Sequence, residues 1–441
     1  MGRYFGTDGI RGKAKVTLLD ETVYRIGKFV GNYYKDARIV IGMDTRESSK
    51  DFEADLCKGM VESGAEVYLL GYCSTPCLAF TTMNEKFSCG VMISASHNPY
   101  TDNGIKIFAD DGFKIKDDIE GLIEDYIDDP VGIESKNTGK VVDYKQAIST
   151  YQKWLLERYP LDLKGKKILV DLCNGSNCYT AKEVLNKLNG NFEYINDEPN
   201  GTNINNHCGS THLEMLMEKV KEGDYEMGFA FDGDADRVLF VDEDGEVVDG
   251  DKIMYLISKY LKANNRLSHD TLVTTVMSNI GLYKSLEKLD IKSDITPVGD
   301  KNVCDSMVRN GFVIGGEQSG HIIYSYDCYF GDGLKTALLV LEILMYYGAT
   351  LKKSVEEVKI YPQLLVNQRV KDKGIVLHDE TINEKIREVS DELGSNGRIL
   401  VRPSGTEPLI RVMVEAESDE LCSRLVYSVI DLIKERGYAE D

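Results

Sequence analysis

GVMISASHNPYTDNGIKIF (Gly90–Phe108) is the stretch around which the 441-residue chain can be organised. Gly90–Ile93 is an apolar run of strand length that breaks into a polar loop, Ser94, Ala95, Ser96, His97, Asn98 and Pro99. Pro99 has no backbone N–H and disfavours helix at Asn98, so the loop does not continue as helix. A hydroxyl, an imidazole and an amide are thus gathered at the mouth of a strand. A second apolar run follows, Gly104–Phe108, in which Lys106 stands between Ile105 and Ile107. By itself the stretch also reads as strand, turn and strand with Lys106 facing water, because loops rich in Ser and Asn are common. The other loops decide between the two.

Working outward, a helical pattern at Glu21–Tyr34 carries Val23, Ile26, Phe29 and Val30 at three-to-four spacing. Arg38–Ile41 reads as a strand, Gly42–Ser49 as a polar loop, and a helix follows through Met60. Glu66–Leu70 is the next strand, with a loop at Gly71–Pro76. Such alternation predicts a parallel or mixed sheet covered by helices. Asp117–Asp128 and Asp143–Tyr159 read as acidic helices, with Glu134–Lys140 as surface connection between them. The runs RIVIGMDTR, KKILVDLCNGS and TLVTTVMSN share one plan of apolar strand, polar loop and helix. They predict three similar α/β domains. The end of the chain differs: Leu364–Val370, Glu380–Leu393, Arg398–Arg402, Leu409–Glu415 and Ser418–Arg436 follow as strand, helix, strand, strand, helix. That order predicts a smaller α+β domain with an antiparallel sheet. The expected divisions are 1–152, 153–253, 254–363 and 364–441.

Composition narrows the class. A 42% hydrophobic content suits a soluble globular protein, and a formal charge of −21 argues against nucleic acid, which needs a basic face. No apolar run suits a signal peptide or a membrane span, so the cytoplasm is the expected location and no membrane partner is expected. The ten cysteines form no CxxC pair, which argues against zinc and for reduced thiols. The oligomeric state stays open, with a homodimer allowed for.

Three more loops carry chemistry. Phe231-Asp-Gly-Asp-Ala-Asp-Arg237 sets Asp232, Asp234 and Asp236 at alternate positions directly after an apolar strand. Carboxylates so crowded need a cation among them, and hard oxygen ligands without His or Cys favour Mg²⁺. An EF-hand would need glycine where Arg237 stands, and a phosphatase-like nucleophilic Asp is the other alternative. In Gly315-Gly-Glu-Gln-Ser-Gly-His321, Glu317 and Ser319 could grip a diol or an amine. His321 could do acid–base work or simply begin the strand His321–Tyr324. In Arg402-Pro-Ser-Gly-Thr-Glu-Pro408, Ser404 and Thr406 offer hydroxyls and Gly405 lets the backbone come close. Arg402 and Arg411 flank the turn as an anion grip. Together the loops describe phosphoryl transfer on a phosphorylated polyol.

Taken in order, RYFGTDGIRG, SASHNP, DGDADR, GGEQSGH and RPSGTEPLIRVMVEA resemble the α-D-phosphohexomutase superfamily from end to end. RYFGTDGIRG, Cys208-Gly-Ser-Thr-His212 and Glu317-Gln318-Ser319 lean toward its glucosamine-phosphate branch. The resemblance implies three α/β domains and a smaller C-terminal domain around a central active-site cleft. It implies that Ser96 is a phosphoserine, and that one Mg²⁺ per subunit is held by Asp232, Asp234, Asp236 and a phosphate oxygen on Ser96. Lys106, Arg11, His321 and Arg237 would lie near the transferring phosphoryl. Glu317 and Ser319 would bind the sugar, and Arg402, Ser404, Gly405, Thr406 and Arg411 its distal phosphate. The implied reaction interconverts glucosamine 6-phosphate and glucosamine 1-phosphate, feeding UDP-N-acetylglucosamine synthesis. It passes through a 1,6-bisphosphate and is primed by a sugar 1,6-bisphosphate. A glucose or mannose phosphate mutase of the same superfamily is the alternative. The chain departs from the usual pattern at Met43, Ala235, Lys301 and Asn302.

Overall fold

Each long apolar run of the sequence becomes the buried centre of a sheet, and the polar runs that follow become loops at the strand ends. In the computed structural model, which describes residues 2–34, 36–136, 138–326, 328–404 and 407–440, four sheets follow one another along the chain. The first has seven strands, in the order Phe5–Gly6, Gly9–Lys13, Asp102–Ala109, Cys89–Ile93, Arg38–Met43, Glu66–Tyr72 and Lys140–Asp143. It is mixed: Arg38–Met43 runs parallel to Cys89–Ile93 and Glu66–Tyr72, while Asp102–Ala109 runs antiparallel to Cys89–Ile93. All five residues of Cys89–Ile93 are buried, as expected of a central strand covered on both faces.

The second sheet orders Val247–Val248, Val238–Val241, Met227–Phe231, Lys167–Asp171 and Asn191–Ile195. The third orders Lys292–Thr296, Thr271–Thr275, Ile314–Gly316 and Ile322–Tyr324. Both combine parallel central pairs with an antiparallel hairpin on one side. The three sheets therefore repeat one plan, as the shared strand–loop–helix runs imply. The fourth, Gln363–Arg369, Leu409–Glu415 and Arg398–Pro403, is wholly antiparallel.

The chain divides into two units, 1–277 with 290–356, and 278–289 with 357–441. In the first, the helices Asp20–Tyr33 and Ser49–Glu62 cross on glycines. A Cβ on Gly27 would stand 2.4 Å from the carbonyl oxygen of Leu56, and one on Gly59 2.4 Å from that of Tyr24. Only hydrogen at these Cα atoms allows so close a crossing. In the second unit, Val412, Val414, Val426, Val429 and Ile433 join the sheet to the helix Asp419–Glu435. The helix Ile280–Glu287 belongs with them, its first backbone N–H donating to Glu415 at 2.9 Å.

Several strands escape sequence reading, among them Lys140–Asp143, which extends the first sheet alongside Glu66–Tyr72 where the expected connection Glu134–Lys140 gives way to the expected helix Asp143–Tyr159. As an edge strand with Val141 exposed, it has no apolar run to announce it. All ten cysteines are free thiols, and no helix among the described residues is long and apolar enough to cross a membrane.

Candidate active site

Ser96 lies one turn beyond the buried strand Cys89–Ile93, itself fully buried and in the left-handed region at φ +53°. A non-glycine residue there costs roughly 1 kcal/mol, so the surroundings must hold the loop in place. Arg46 does most of this. Its Nη2 donates to the carbonyls of Ser96 at 2.8 Å and Asn98 at 2.9 Å, and Nη1 to those of Pro99 and, at 3.0 Å, Asp102. Its Nε donates to Asp44 at 2.8 Å, so every N–H of the guanidinium is used. Asp44 also accepts from Ser94 at 2.6 Å, and the Ser94 oxygen accepts from the Ser96 N–H at 2.9 Å. From the second sheet's domain, Asn205 donates to the Ser96 and Asn98 carbonyls at 2.8 and 3.0 Å.

The Asp44–Arg46 pair has no exposed side-chain surface. Breaking such a pair leaves a buried charge unopposed, at a cost of about 3–5 kcal/mol. Arg46→Met is therefore expected to lower the unfolding free energy of the full chain by about that much in urea titration. A loss below about 1 kcal/mol, the scale of one ordinary hydrogen bond, would contradict the clamp.

The Ser96 hydroxyl donates to Asp232 at 2.6 Å across 136 residues of chain. Asp232, Asp234 and Asp236 are buried, and each offers an oxygen within 4.8 Å of the others. Oδ1 of Asp234 and Oδ1 of Asp236 have no hydrogen-bond partner among the described residues. Burial, with Asp236 and Asp234 close by, pushes the Asp232 carboxyl well above its usual range. Orphaned oxygens beside a carboxyl that resists ionisation fit a divalent cation, and an all-carboxylate set suits Mg²⁺. Ala235, between Asp234 and Asp236, sits in the left-handed region at φ +62°.

Lys106 does not face water. It is 1% exposed and reaches Asp234 at 2.6 Å, Asp8 at 2.9 Å and Asp236 at 3.3 Å. Burial opposes its charge, but Asp234, Asp8 and Asp236 outweigh it and raise its pKa well above the usual value. It is held as an ammonium, a donor. Asp8 is also paired with Arg11; burial pushes its carboxyl up, yet Lys106, Lys114 and Arg11 hold it well below the usual range. His321 is buried, with Nδ1 at 3.6 Å from Asp236 and Nε2 at 3.8 Å from Asp300. Burial lowers its pKa, but the two carboxylates overcome this and raise it. His321 thus stands at the strand's start and faces the acidic loop, so its two sequence readings are compatible. Arg237 gives its backbone N–H to Asp232 at 3.2 Å, and its guanidinium lies 3.8 Å from Asp236.

Glu317 accepts from the Gly299 N–H at 3.0 Å and acts electrostatically on Arg237, while Ser319 Oγ is buried without a hydrogen-bond partner among the described residues. Lys301 turns away from this loop, pairing with Asp117 and Glu120, and Asn302 donates to the Val298 carbonyl at 2.9 Å.

In the second unit, Arg402 and Arg411 are direct partners across the antiparallel pair Arg398–Pro403 and Leu409–Glu415. Like charges placed opposite one another are destabilising. Burial, together with Arg411, lowers the pKa of Arg402, and Nε of Arg411 is buried without a hydrogen-bond partner among the described residues. An anion would relieve both conditions. Ser404 Oγ accepts from the Glu407 N–H at 3.4 Å, while Lys373 donates to the Ser404 carbonyl at 2.8 Å. Gly405 and Thr406 lie outside the described residues.

Four family models match in succession. They are described as phosphoglucomutase/phosphomannomutase alpha/beta/alpha domain I (residues 2–131), domain II (144–245), domain III (249–361) and C-terminal domain (365–432). The chain belongs to the phosphoglucomutase/phosphomannomutase family. The phosphoglucosamine mutases of Lachnoclostridium phytofermentans and Lachnospira eligens are similar to it at 47% and 46% identity. The matches cover 99% of both chains in the first case and 100% of both in the second. A phosphoglucomutase/phosphomannomutase family protein from Burkholderia thailandensis shares the fold at 22% identity and a TM-score of 0.80, over 97% of each chain. So does Aspergillus fumigatus N-acetylphosphoglucosamine mutase, solved with GlcNAc-6P and magnesium, at 19% identity and a TM-score of 0.70. That match covers 98% of this chain and 96% of the other. As in other phosphohexomutases, three α/β domains precede a smaller C-terminal one.

Sequence reading missed Asp44, Arg46, Lys114, Asp300 and the site role of Asp8. The only local signal for Arg46 is a polar loop directly after a strand.

Proposed function

We propose that this protein interconverts glucosamine 6-phosphate and glucosamine 1-phosphate, as an isomerase that moves a phosphoryl group by way of Ser96 and a 1,6-bisphosphate. The observation that carries the reading is 44–47% identity, along essentially the whole chain, to curated phosphoglucosamine mutases. The product would feed UDP-N-acetylglucosamine synthesis.

In this reading phospho-Ser96 gives its phosphoryl to the free hydroxyl of the sugar phosphate. The bisphosphate turns over, and its other phosphoryl returns to Ser96. The left-handed loop clamped by Arg46 keeps the nucleophilic oxygen aimed at the incoming group. Lys106, Arg11, His321 and Arg237 donate to the oxygens on which charge develops, with Lys106 or His321 supplying a proton to the departing oxygen and regaining it from the attacking hydroxyl, so that no net proton is gained or lost. Asp232, Asp234 and Asp236, with a phosphate oxygen on Ser96, would hold one Mg²⁺, which when bound neutralises charge on the transferring phosphoryl. Glu317 and Ser319 would grip the sugar amine and hydroxyls. Arg402, Ser404, Gly405, Thr406 and Arg411 would take the distal phosphate of either end of the intermediate. A trace of sugar 1,6-bisphosphate would prime Ser96. The divisions 1–152, 153–253, 254–363 and 364–441, a cytoplasmic location and independence of nucleic acid and membranes belong to the same proposal; a homodimer remains allowed.

The test is kcat/KM with Mg²⁺ and a trace of glucose 1,6-bisphosphate, comparing glucosamine, glucose and mannose 6-phosphates. A preference for glucosamine phosphate of roughly tenfold or more is expected, since a site built to bond an amine penalises analogues that leave its groups unpaired. Equal or better use of glucose or mannose phosphate would move the protein to another branch of the family.

A further inference from the structure

Lys114 takes no part in the reading above, yet it sits between two of the site's carboxylates. Its ammonium bonds Oδ1 of Asp8 and Oδ2 of Asp300. Asp8 turns its other oxygen to Lys106, at 2.9 Å, and to Arg11. The same Oδ2 of Asp300 lies 3.8 Å from Nε2 of His321, whose Nδ1 lies 3.6 Å from Asp236. Asp236 returns to Lys106 at 3.3 Å. The six groups, Lys106, Asp8, Lys114, Asp300, His321 and Asp236, close a ring in which carboxylates alternate with nitrogen bases.

Resting on the proposed reaction, we infer that Lys114 is a positioning residue. By bridging Asp8 and Asp300 it fixes, at one remove on each side, the two groups proposed to protonate the departing oxygen. Lys106 is held through Asp8, and His321 through Asp300.

Lys114 and Asp300 come from different domains. Lys114 lies just past Asp102–Ala109 and is bridged to Phe108 in an antiparallel manner; Asp300 opens the helix Asp300–Asn310 of the third sheet's domain. The ring is only slightly wet, with the side chains of Lys114 and Asp300 17% and 18% exposed. Burial lowers the pKa of Lys114, but Asp300 and Asp8 outweigh it and keep the ammonium charged. Beside it is a cavity of about 50 Å³ lined by Asp8, Lys114, Asp236, Asp300 and His321. Without the ammonium, Oδ1 of Asp8 and Oδ2 of Asp300 would face this space with no cation between them, and each carboxylate could rotate away from the group it orients. His321 cannot follow freely, because Gly331 is packed so closely against its ring that a Cβ there would stand 2.3 Å from Nε2.

A bridge that served only to tie two domains together would show in stability and leave the chemical step alone, so the test separates the two. Steady-state kinetics of the Mg²⁺-loaded full chain are compared for wild type, Lys114→Met, Lys114→Arg, Asp300→Asn and the double variant Lys114→Met/Asp300→Asn. Unfolding temperatures are recorded alongside. In Lys114→Met, kcat is expected to fall about 100-fold, the scale of an ångström's misplacement, with KM changed by less than about threefold. Lys114→Arg should recover to within about tenfold of wild type, and the double variant should be no slower than the slower single one, because the two groups act as a unit. The inference is overturned by a kcat within about twofold of wild type, by a loss carried in KM alone, or by no recovery with arginine. Recovery of Lys114→Met at raised Mg²⁺ would overturn it too, by assigning the effect to metal affinity. Should Lys114→Met not fold, Asp300→Asn decides by the same kcat and KM criteria. The comparison is run on whichever hexose phosphate the wild type isomerises, so a wrong substrate assignment leaves it intact. A wild type that isomerises none would take both readings down.

Discussion

Ser96→Ala abolishes isomerisation of every hexose phosphate, by at least about 10⁴-fold, while leaving the protein folded. Removing a covalent nucleophile removes the route, and the groups left behind have no acceptor to work on. The fold should survive because the loop is held through its backbone. Arg46 and Asn205 bond the Ser96 carbonyl, and Ser94 takes its N–H, none of which needs the hydroxyl. The hydroxyl's side-chain bonds to Asp232, 2.6 Å, and to Nδ1 of His97, 3.4 Å, are lost, at a cost of about 1 kcal/mol to stability. The check is a coupled assay of turnover, with intact mass measured after incubation with glucose 1,6-bisphosphate. Wild type should gain one phosphoryl group and the variant none. Retained turnover in the variant would mean direct transfer between sugars, or a different nucleophile, and would remove Ser96 from the reaction. A phosphatase using Asp232 would instead release inorganic phosphate, which the same assay reads.

The second large effect is loss of the metal. Exhaustive chelation should reduce turnover by about 10³-fold, corresponding to the several kcal/mol a Lewis acid contributes at a transferring phosphoryl group, and Mg²⁺ should restore it. The sign follows from the carboxylates. Asp232, Asp234 and Asp236 lie within 4.8 Å of one another in a buried setting, and Lys106 bonds oxygens of only two of them. Burial, together with Asp236 and Asp234, pushes Asp232 toward its protonated form, and a divalent cation would reverse that. Because the metal would bind the folded protein in preference to the unfolded one, Mg²⁺ should also raise the unfolding temperature, increasingly so with concentration. Full turnover after chelation, or no thermal shift with Mg²⁺, would leave the acidic loop without its proposed ion.

What the sequence reveals is whatever chemistry is written along a single segment. The acidic loop is legible because three carboxylates alternate directly after Met227–Phe231, so a strand end delivers them to one place. The Ser96 loop is legible because Pro99 forbids helix after a short buried strand. The C-terminal strand–helix–strand–strand–helix order translates directly into an antiparallel sheet. The pairing of Arg402 with Arg411 also follows from that order, since a hairpin sets its two arms face to face.

Lys106 marks where that kind of reading ends. Its alternation with Ile105 and Ile107 puts it on the opposite face of Asp102–Ala109, and a local rule would send that face to water. It is buried because the acidic loop, 128 residues further on, packs over it. The same holds for Lys114 and Asp300, 186 residues apart, and for Arg46, which holds a loop about 50 residues away through backbone carbonyls that carry no sequence signature. The sequence by itself determined the four-domain order, the Ser96 loop and the acidic triad, because each depends on periodicity and turn chemistry within one segment. Only the tertiary structure decided which charges face one another, because a buried charge is tolerated only where a distant part of the chain supplies its partner.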